Sequence, residues 1–252
     1  MEKCNMSLEK TYRSTDSLWI SSLGILTACF LILVFLFTAV EAVVYWTPGY
    51  FESEYTKYQV LNDLPEMTME DLLTVTDEMM AYLRGNRADL HVFTTMGGES
   101  REFFNAREIA HMEDVQDLFL GGLLIRKIGI GIAIAYGIIL FIWSGSKTDR
   151  KKLLKSLVPA SLCIGTGMFF AIALSIASIV ASDFSRYFIV FHQIFFDNDL
   201  WILNPATDML INIVPEPFFM DTALRIAITF GCMVVAFLIL CFFFWRRGRK
   251  NN

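Results

Sequence analysis

The stretch "LFLGGLLIRKIGIGIAIAYGIILFIW", residues 118–143, decides the fold. It carries only Arg126 and Lys127 as charges, and a helix needs on the order of 20 apolar residues to cross about 30 Å of hydrocarbon. Outward from it, three more runs meet the same requirement, at about 18–44, 156–182 and 221–245. With 55% hydrophobic and 14% aromatic residues, a bilayer rather than water is the main solvent. The expected fold is an all-α polytopic membrane protein: a four-transmembrane-helix bundle with a small extracytoplasmic α+β cap formed by the two outer loops.

The first run is not read as a cleavable signal. Its apolar core from Leu23 to Val44 is too long, and Val40-Glu41-Ala42 is a poor small-residue cleavage site. Trp19, Trp46, Trp143 and Trp245 fall at the ends of runs, where an amphipathic indole prefers the headgroup layer.

Basic residues in the connections set the orientation. Lys147, Arg150, Lys151, Lys152 and Lys155 crowd the loop 144–155, and Arg246, Arg247, Arg249 and Lys250 close the chain in 246–252. That loop and both ends, including 1–17, are expected in the cytoplasm. Segments 45–117 and 183–220 then lie outside, and both are acidic. The net charge of −5 argues against nucleic acid as a partner. Cys4, Cys29, Cys163, Cys232 and Cys241 all fall in the tail or the membrane runs, so the outer loops have no disulfide framework.

Within 45–117, Thr68 and Asp71 stand at capping-box spacing before an amphipathic helix that carries Leu72, Leu73, Met79, Met80 and Leu83, with Gly85 as its C-cap. This helix is read as packing on the outer domain. Gly97-Gly98, flanked by β-branched and aromatic residues, marks a hairpin that holds His91 as a solvated strand residue. Asn105 caps the next helix with Glu108 at N3. That helix is expected to run on into the second span. Arg107, Glu108, His111 and Asp114, three and four residues apart, should form one polar strip beside an apolar stripe that includes Phe104 and Val115.

The loop 183–220 is almost wholly apolar around His192, then breaks into Asp197-Asn198-Asp199 and the turn signal Asn204-Pro205. It reads as an interfacial or re-entrant segment, with a cavity expected beside His192. Glu41, Arg126, Lys127 and Arg225 fall near the outer leaflet, where charge is expensive unless paired, snorkelling or functional. Two readings stand: snorkelling with a Glu41 to arginine pair, or a polar floor to a lipid-headgroup pocket built from Glu41, Arg126 and Arg225.

No Gly-x-Ser-x-Gly elbow, His-Glu-x-x-His helix, phosphate-cradling glycine motif or exported cysteine is present. An ordinary serine or thiol acyl-enzyme is not supported. What remains outside is His111 and His192 at the water-lipid boundary. They read as hydrogen-bonded interfacial histidines, as zinc ligands together with Glu108, or as proton carriers.

"FFNAREIAHMEDVQDLF" (103–119) and "FHQIFFDNDLWILNPATDMLINIVPEPFF" (191–219), with four spans in this order, resemble the Lit family, the lipoprotein intramolecular transacylases of Gram-positive bacteria. The similarity runs from about residue 20 to 245. It implies transfer of the sn-2 acyl chain of an S-diacylglyceryl cysteine to that cysteine's α-amino group, giving the N-acyl S-monoacylglyceryl (lyso) lipoprotein. Diacylglyceryl-modified lipoproteins and membrane lipid are the implied partners, the cell membrane the location, and no cofactor is called for. The family's two functional histidines carry over to His111 and His192. On this reading His111, by preference, deprotonates the amine and His192 protonates the departing glycerol oxygen. Glu108 or Asp114 orients His111, and Arg107, Asn198 or a backbone amide stabilises the oxyanion. A metal-dependent membrane hydrolase and a non-enzymatic lipoprotein-binding membrane protein are the alternatives.

Overall fold

The computed structural model describes the backbone of residues 2–250 and the side chains of residues 15–250, so the Cys4 side chain lies outside the described residues. Four long helices dominate: α1 (Glu2–Val44), α4 (Ala106–Ser144), α5 (Thr148–Ser182) and α8 (Glu216–Lys250). Between them lie α2 (Tyr50–Lys57), α3 (Met69–Leu83), the strands β1 (Phe93–Met96) and β2 (Glu99–Glu102), α6 (Phe184–Phe195) and α7 (Met209–Ile213). In the apolar windows of the long helices, between 11% and 28% of residues are buried by protein. Such extensive exposed apolar surface requires lipid around it. The protein is an integral membrane protein with four apolar helices.

These helices extend past the apolar runs. α1 starts at Glu2, and α5 takes in most of the basic segment expected as a loop, because lysine and arginine are good helix formers and need no hydrocarbon around them. Pro159 sits inside α5; it removes one backbone donor, a loss that membrane helices tolerate. With 39 residues, α4 is about 58 Å long, roughly twice a bilayer's core. Its apolar run starts at Leu118, and Ala106–Asp117 precedes the spanning segment.

The chain divides into two compact units. The first, the bundle unit, holds residues up to Thr38, Ile125–Ser178 and the chain from Thr229 on. In it the Tyr136 hydroxyl donates to the Ile20 carbonyl oxygen (3.1 Å), and Trp19 packs edge-on against Trp143 at 5.4 Å.

The second unit, Ala39–Leu124 with Ile179–Ile228, has its own core. Thr68 caps α3 by accepting from the Asp71 amide (3.1 Å), and Leu72, Val75, Met79 and Tyr82 face inward. Leu73, Met80 and Leu83 pack against the rim of the same core. Strands β1 and β2 pair antiparallel, with Phe93 opposite Glu102 and Met96 opposite Glu99. Gly97 and Gly98 turn between them at positive φ (62° and 84°), a conformation open to glycine. The segment around His192 is a regular helix, α6. Asp183 alone separates it from α5 and caps it by accepting from the Arg186 amide (3.2 Å).

Candidate active site

A reciprocal cap starts α4. The Asn105 side-chain oxygen accepts from the amides of Arg107 (2.9 Å) and Glu108 (3.1 Å), and Glu108 Oε2 accepts from the Asn105 amide at 2.8 Å. The other carboxylate oxygen, Oε1, accepts from the Leu210 amide at 2.5 Å and so ties α4 to α7. Burial pushes the Glu108 carboxyl above the usual carboxylate range, opposed by the Asn105 and Leu210 amides.

The expected polar strip on α4 does not form as one face. Glu108 and His111 are buried, whereas Arg107 and Asp114 are half-buried. Spacing explains this: Phe104, Glu108 and Met112 recur every four residues on one inward stripe, and Glu108 stays there because two amides satisfy it.

His111 lies one turn on, only 6% exposed, and its Nδ1 is buried with no hydrogen-bond partner among the described residues. Burial holds the imidazole down to about 4, with the neighbouring His192 ring and Arg107 adding to the effect and Asp114 opposing it. The ring is therefore neutral in ordinary conditions.

His192 comes from α6, with Nδ1 2.7 Å from the Phe188 carbonyl oxygen. A carbonyl only accepts, so Nδ1 carries the proton and the neutral ring keeps its lone pair at Nε2. Trp201 stacks on this imidazole at 4.9 Å, and Phe188 meets it edge-on at 4.5 Å. The two histidines face each other with ring centroids 6.1 Å apart and planes tilted by 35°. Phe196 contacts both rings.

The Asp197-Asn198-Asp199 turn is held by α4. Asn198 Nδ2 donates to Asp114 Oδ2 (2.8 Å), and the Arg107 guanidinium donates to the Asp199 carbonyl oxygen and pairs with its carboxylate at 3.4 Å. Trp201 Nε1 in turn donates to the Asn198 carbonyl oxygen at 2.9 Å. The half-buried charges of α4 thus fix the turn that lays Trp201 on His192.

His111, His192, Arg107, Asp114 and Asn198 come together, with Glu108 behind them. Glu108 does not orient His111: both of its oxygens are taken by backbone amides. Nor do Glu108, His111 and His192 form a metal-ligand set, and no group of three or more His, Cys, Asp or Glu side chains among the described residues is placed to hold an ion. Glu41 pairs with Arg84, the residue that follows α3, at 2.5 Å. Arg225 pairs with Glu54 (2.7 Å) and Asp221 (3.2 Å), and Arg126 is half-buried in the bundle unit. His91 is exposed beside Glu102. Trp201, Phe188 and Phe196 were not singled out from the sequence. The available signal was the tryptophan directly after the acidic turn, in Asp197-Asn198-Asp199-Leu200-Trp201.

A family model described as "Lipoprotein intramolecular transacylase Lit" matches residues 25–219. Among solved structures, the fold is similar to that of the membrane integral lipoprotein intramolecular transacylase Lit from Bacillus cereus, determined in meso. One such structure has a TM-score of 0.68 at 23% identity, over 94% of this chain and 98% of that one. A form of the Bacillus cereus protein with a histidine-to-arginine substitution gives 0.67 at 22% identity, over 97% of both chains. No curated protein matches the sequence. Four apolar helices define an integral membrane protein, and a buried pair of histidine rings faces each other in its second unit. The chain belongs to the Lit family, the lipoprotein intramolecular transacylases, and is accordingly an acyltransferase.

Proposed function

We propose that this protein moves the sn-2 acyl chain of an S-diacylglyceryl cysteine to the α-amino group of the same cysteine, at the outer face of the membrane with both termini in the cytoplasm. The orientation rests on the basic residues of 144–155 and 246–250. The observation that carries the chemistry is the facing pair: His192, its Nδ1 proton held by Phe188, opposite a neutral His111.

Amine and ester already belong to one molecule. Holding them in attack geometry is worth effective molarities on the order of 10⁵ M or more, so no enzyme nucleophile is needed. The α-amine adds to the ester carbonyl and gives its proton to Nε2 of His192. The bond from carbonyl carbon to the sn-2 oxygen then breaks, and His192 returns the proton to that oxygen. An amide forms, an ester is lost and a glycerol hydroxyl is left, with no proton gained or lost. Neutral His111 donates its ring N–H to the developing oxyanion, a task for imidazole rather than imidazolium. This reverses the base assignment expected from the sequence, because His192 has the fixed tautomer.

The test is mass spectrometry of a diacylated lipopeptide after incubation with the protein and with its His192→Gln and His111→Gln variants. N-acyl S-monoacylglyceryl product from the unmodified protein, with His192→Gln the slower variant, is the expected result. Release of free fatty acid would indicate hydrolysis, and unchanged peptide a binding protein. Full activity of either variant removes that histidine from the mechanism.

A further inference from the structure

The bundle unit contains a cleft with no part in the histidine site. About 490 Å³ of space opens where the end of α4, the start of α5 and the end of α8 meet, within the roughly 300–1,000 Å³ of small-molecule sites. Its body is apolar, from Leu140, Phe141, Val158 and Phe244, and Lys155 and Arg247 stand among its lining residues. Both cations are exposed, and neither has an ion pair among the described residues.

Backbone chemistry brings together the two chain segments that carry these cations. Pro159 has no N–H to give the carbonyl of Lys155, four residues earlier, so that oxygen is released from the helix ladder. Gly248 packs against it so closely that a Cβ there would lie 2.3 Å from the oxygen. Only glycine permits the approach, which sets the segment that carries Arg247 against the one that carries Lys155.

The same end of the bundle bears the markers of a membrane surface. Trp143 packs against Trp19 and under Arg150, and Trp245 lies under Arg249. Segments 144–155 and 246–250 hold nine basic residues and one acid, Asp149. An apolar cleft with a doubly cationic mouth, open at headgroup level between helices, has the chemistry that recognises an anionic lipid headgroup together with its acyl chain.

We infer that this cleft binds an anionic phospholipid, with its phosphate between Lys155 and Arg247 and its chain along Phe141 and Phe244. The occupant is a lipid rather than free phosphate, because most of the lining is apolar. The charge of the mouth, not the general basicity of this end, sets the preference.

Native mass spectrometry of the full chain in detergent micelles tests this, with dioleoylphosphatidylglycerol and dioleoylphosphatidylcholine as probes and with inorganic phosphate or glycerol phosphate as competitors. Phosphatidylglycerol should be retained over phosphatidylcholine and should resist both competitors. Lys155→Gln with Arg247→Gln should weaken retention about twenty-five-fold, at roughly fivefold per cation. Lys151→Gln with Lys152→Gln, an equal loss of charge outside the cleft lining, should weaken it far less. Gly137→Leu keeps every charge and grows from a cleft-lining position that has nothing within 4 Å of an added Cβ; it too should expel the lipid, and it decides the matter if the double variant fails to fold. Equal losses in the two lysine and arginine pairs, full retention in Gly137→Leu, or displacement by free phosphate overturns the proposal.

Discussion

Trp201 lies against the face of His192, ring centroids 4.9 Å apart and planes 30° from parallel. The indole N–H is anchored to the Asn198 carbonyl oxygen, so the stack is fixed at both ends. Replacing Trp201 by Ala should free the imidazole to tilt. A misplacement of about 1 Å costs on the order of 10²-fold in rate, so a fall in kcat of about 10- to 100-fold is expected with KM little changed. Trp201→Phe keeps a stacking ring and should fall between. Steady-state turnover of a diacylated lipopeptide measures both, and full activity in Trp201→Ala would show that the stack is incidental.

Asp114 and Asn198 provide a reversible version of the same test. Asn198→Asp places two carboxylates where a 2.8 Å hydrogen bond now joins the side chains, and Asp114→Asn removes its charge. Each single change should slow turnover by loosening the turn under Trp201. The effect on stability should stay near about 1 kcal/mol, because the pair is partly exposed. Exchanging the two residues restores a donor opposite an acceptor and should recover most of the rate. A double variant no better than the product of the singles would argue against the contact.

The four membrane helices and both histidines were legible in the sequence for separate reasons. Apolar length alone reports a span, and rare titratable residues beside apolar runs stand out by composition. The caps at Thr68 and Asn105 were legible because their partners are three residues away. Glu108 is legible only in part: its place on the stripe with Phe104 and Met112 is local, but the Leu210 amide that satisfies it lies 102 residues further on. Trp201 and the Glu54–Arg225 pair depend on contacts between distant segments and have no local signature.

Glu108 should therefore behave as a structural anchor. In Glu108→Gln only one oxygen remains for two amide donors, and an NH₂ group is turned toward an N–H. Leaving a buried donor unsatisfied costs about 1–3 kcal/mol, which should lower the thermal unfolding midpoint in detergent. Surviving enzyme should retain the pH profile of the unmodified protein. A large shift in that profile with unchanged thermal stability would instead place Glu108 in the chemistry.

The pH dependence follows from His111. An ordinary imidazole titrates near about 6.5, and burial holds this one down to about 4, with His192 and Arg107 adding and Asp114 opposing. The unfolded chain thus takes up the proton more readily than the native protein. The contribution of neutral His111 to stability is complete above about 6.5 and is lost as pH falls through about 4. Over the working range the ring donates a hydrogen bond without carrying charge. Loss of rate toward acid should then follow protonation of the substrate amine, whose reference value is about 7.7–8.0, with no His111 limb near 6.5. Initial rates from about pH 5 to 9 give the profile, and carbon-13 NMR of labelled histidine, assigned by difference with His111→Gln, gives the ring itself. His91→Gln clears the spectrum, since the Glu102 carboxylate holds that exposed ring above its ordinary value. A His111 signal titrating at about 6.5 or higher would mean that the ring is solvated, and the neutral-donor role would have to be abandoned.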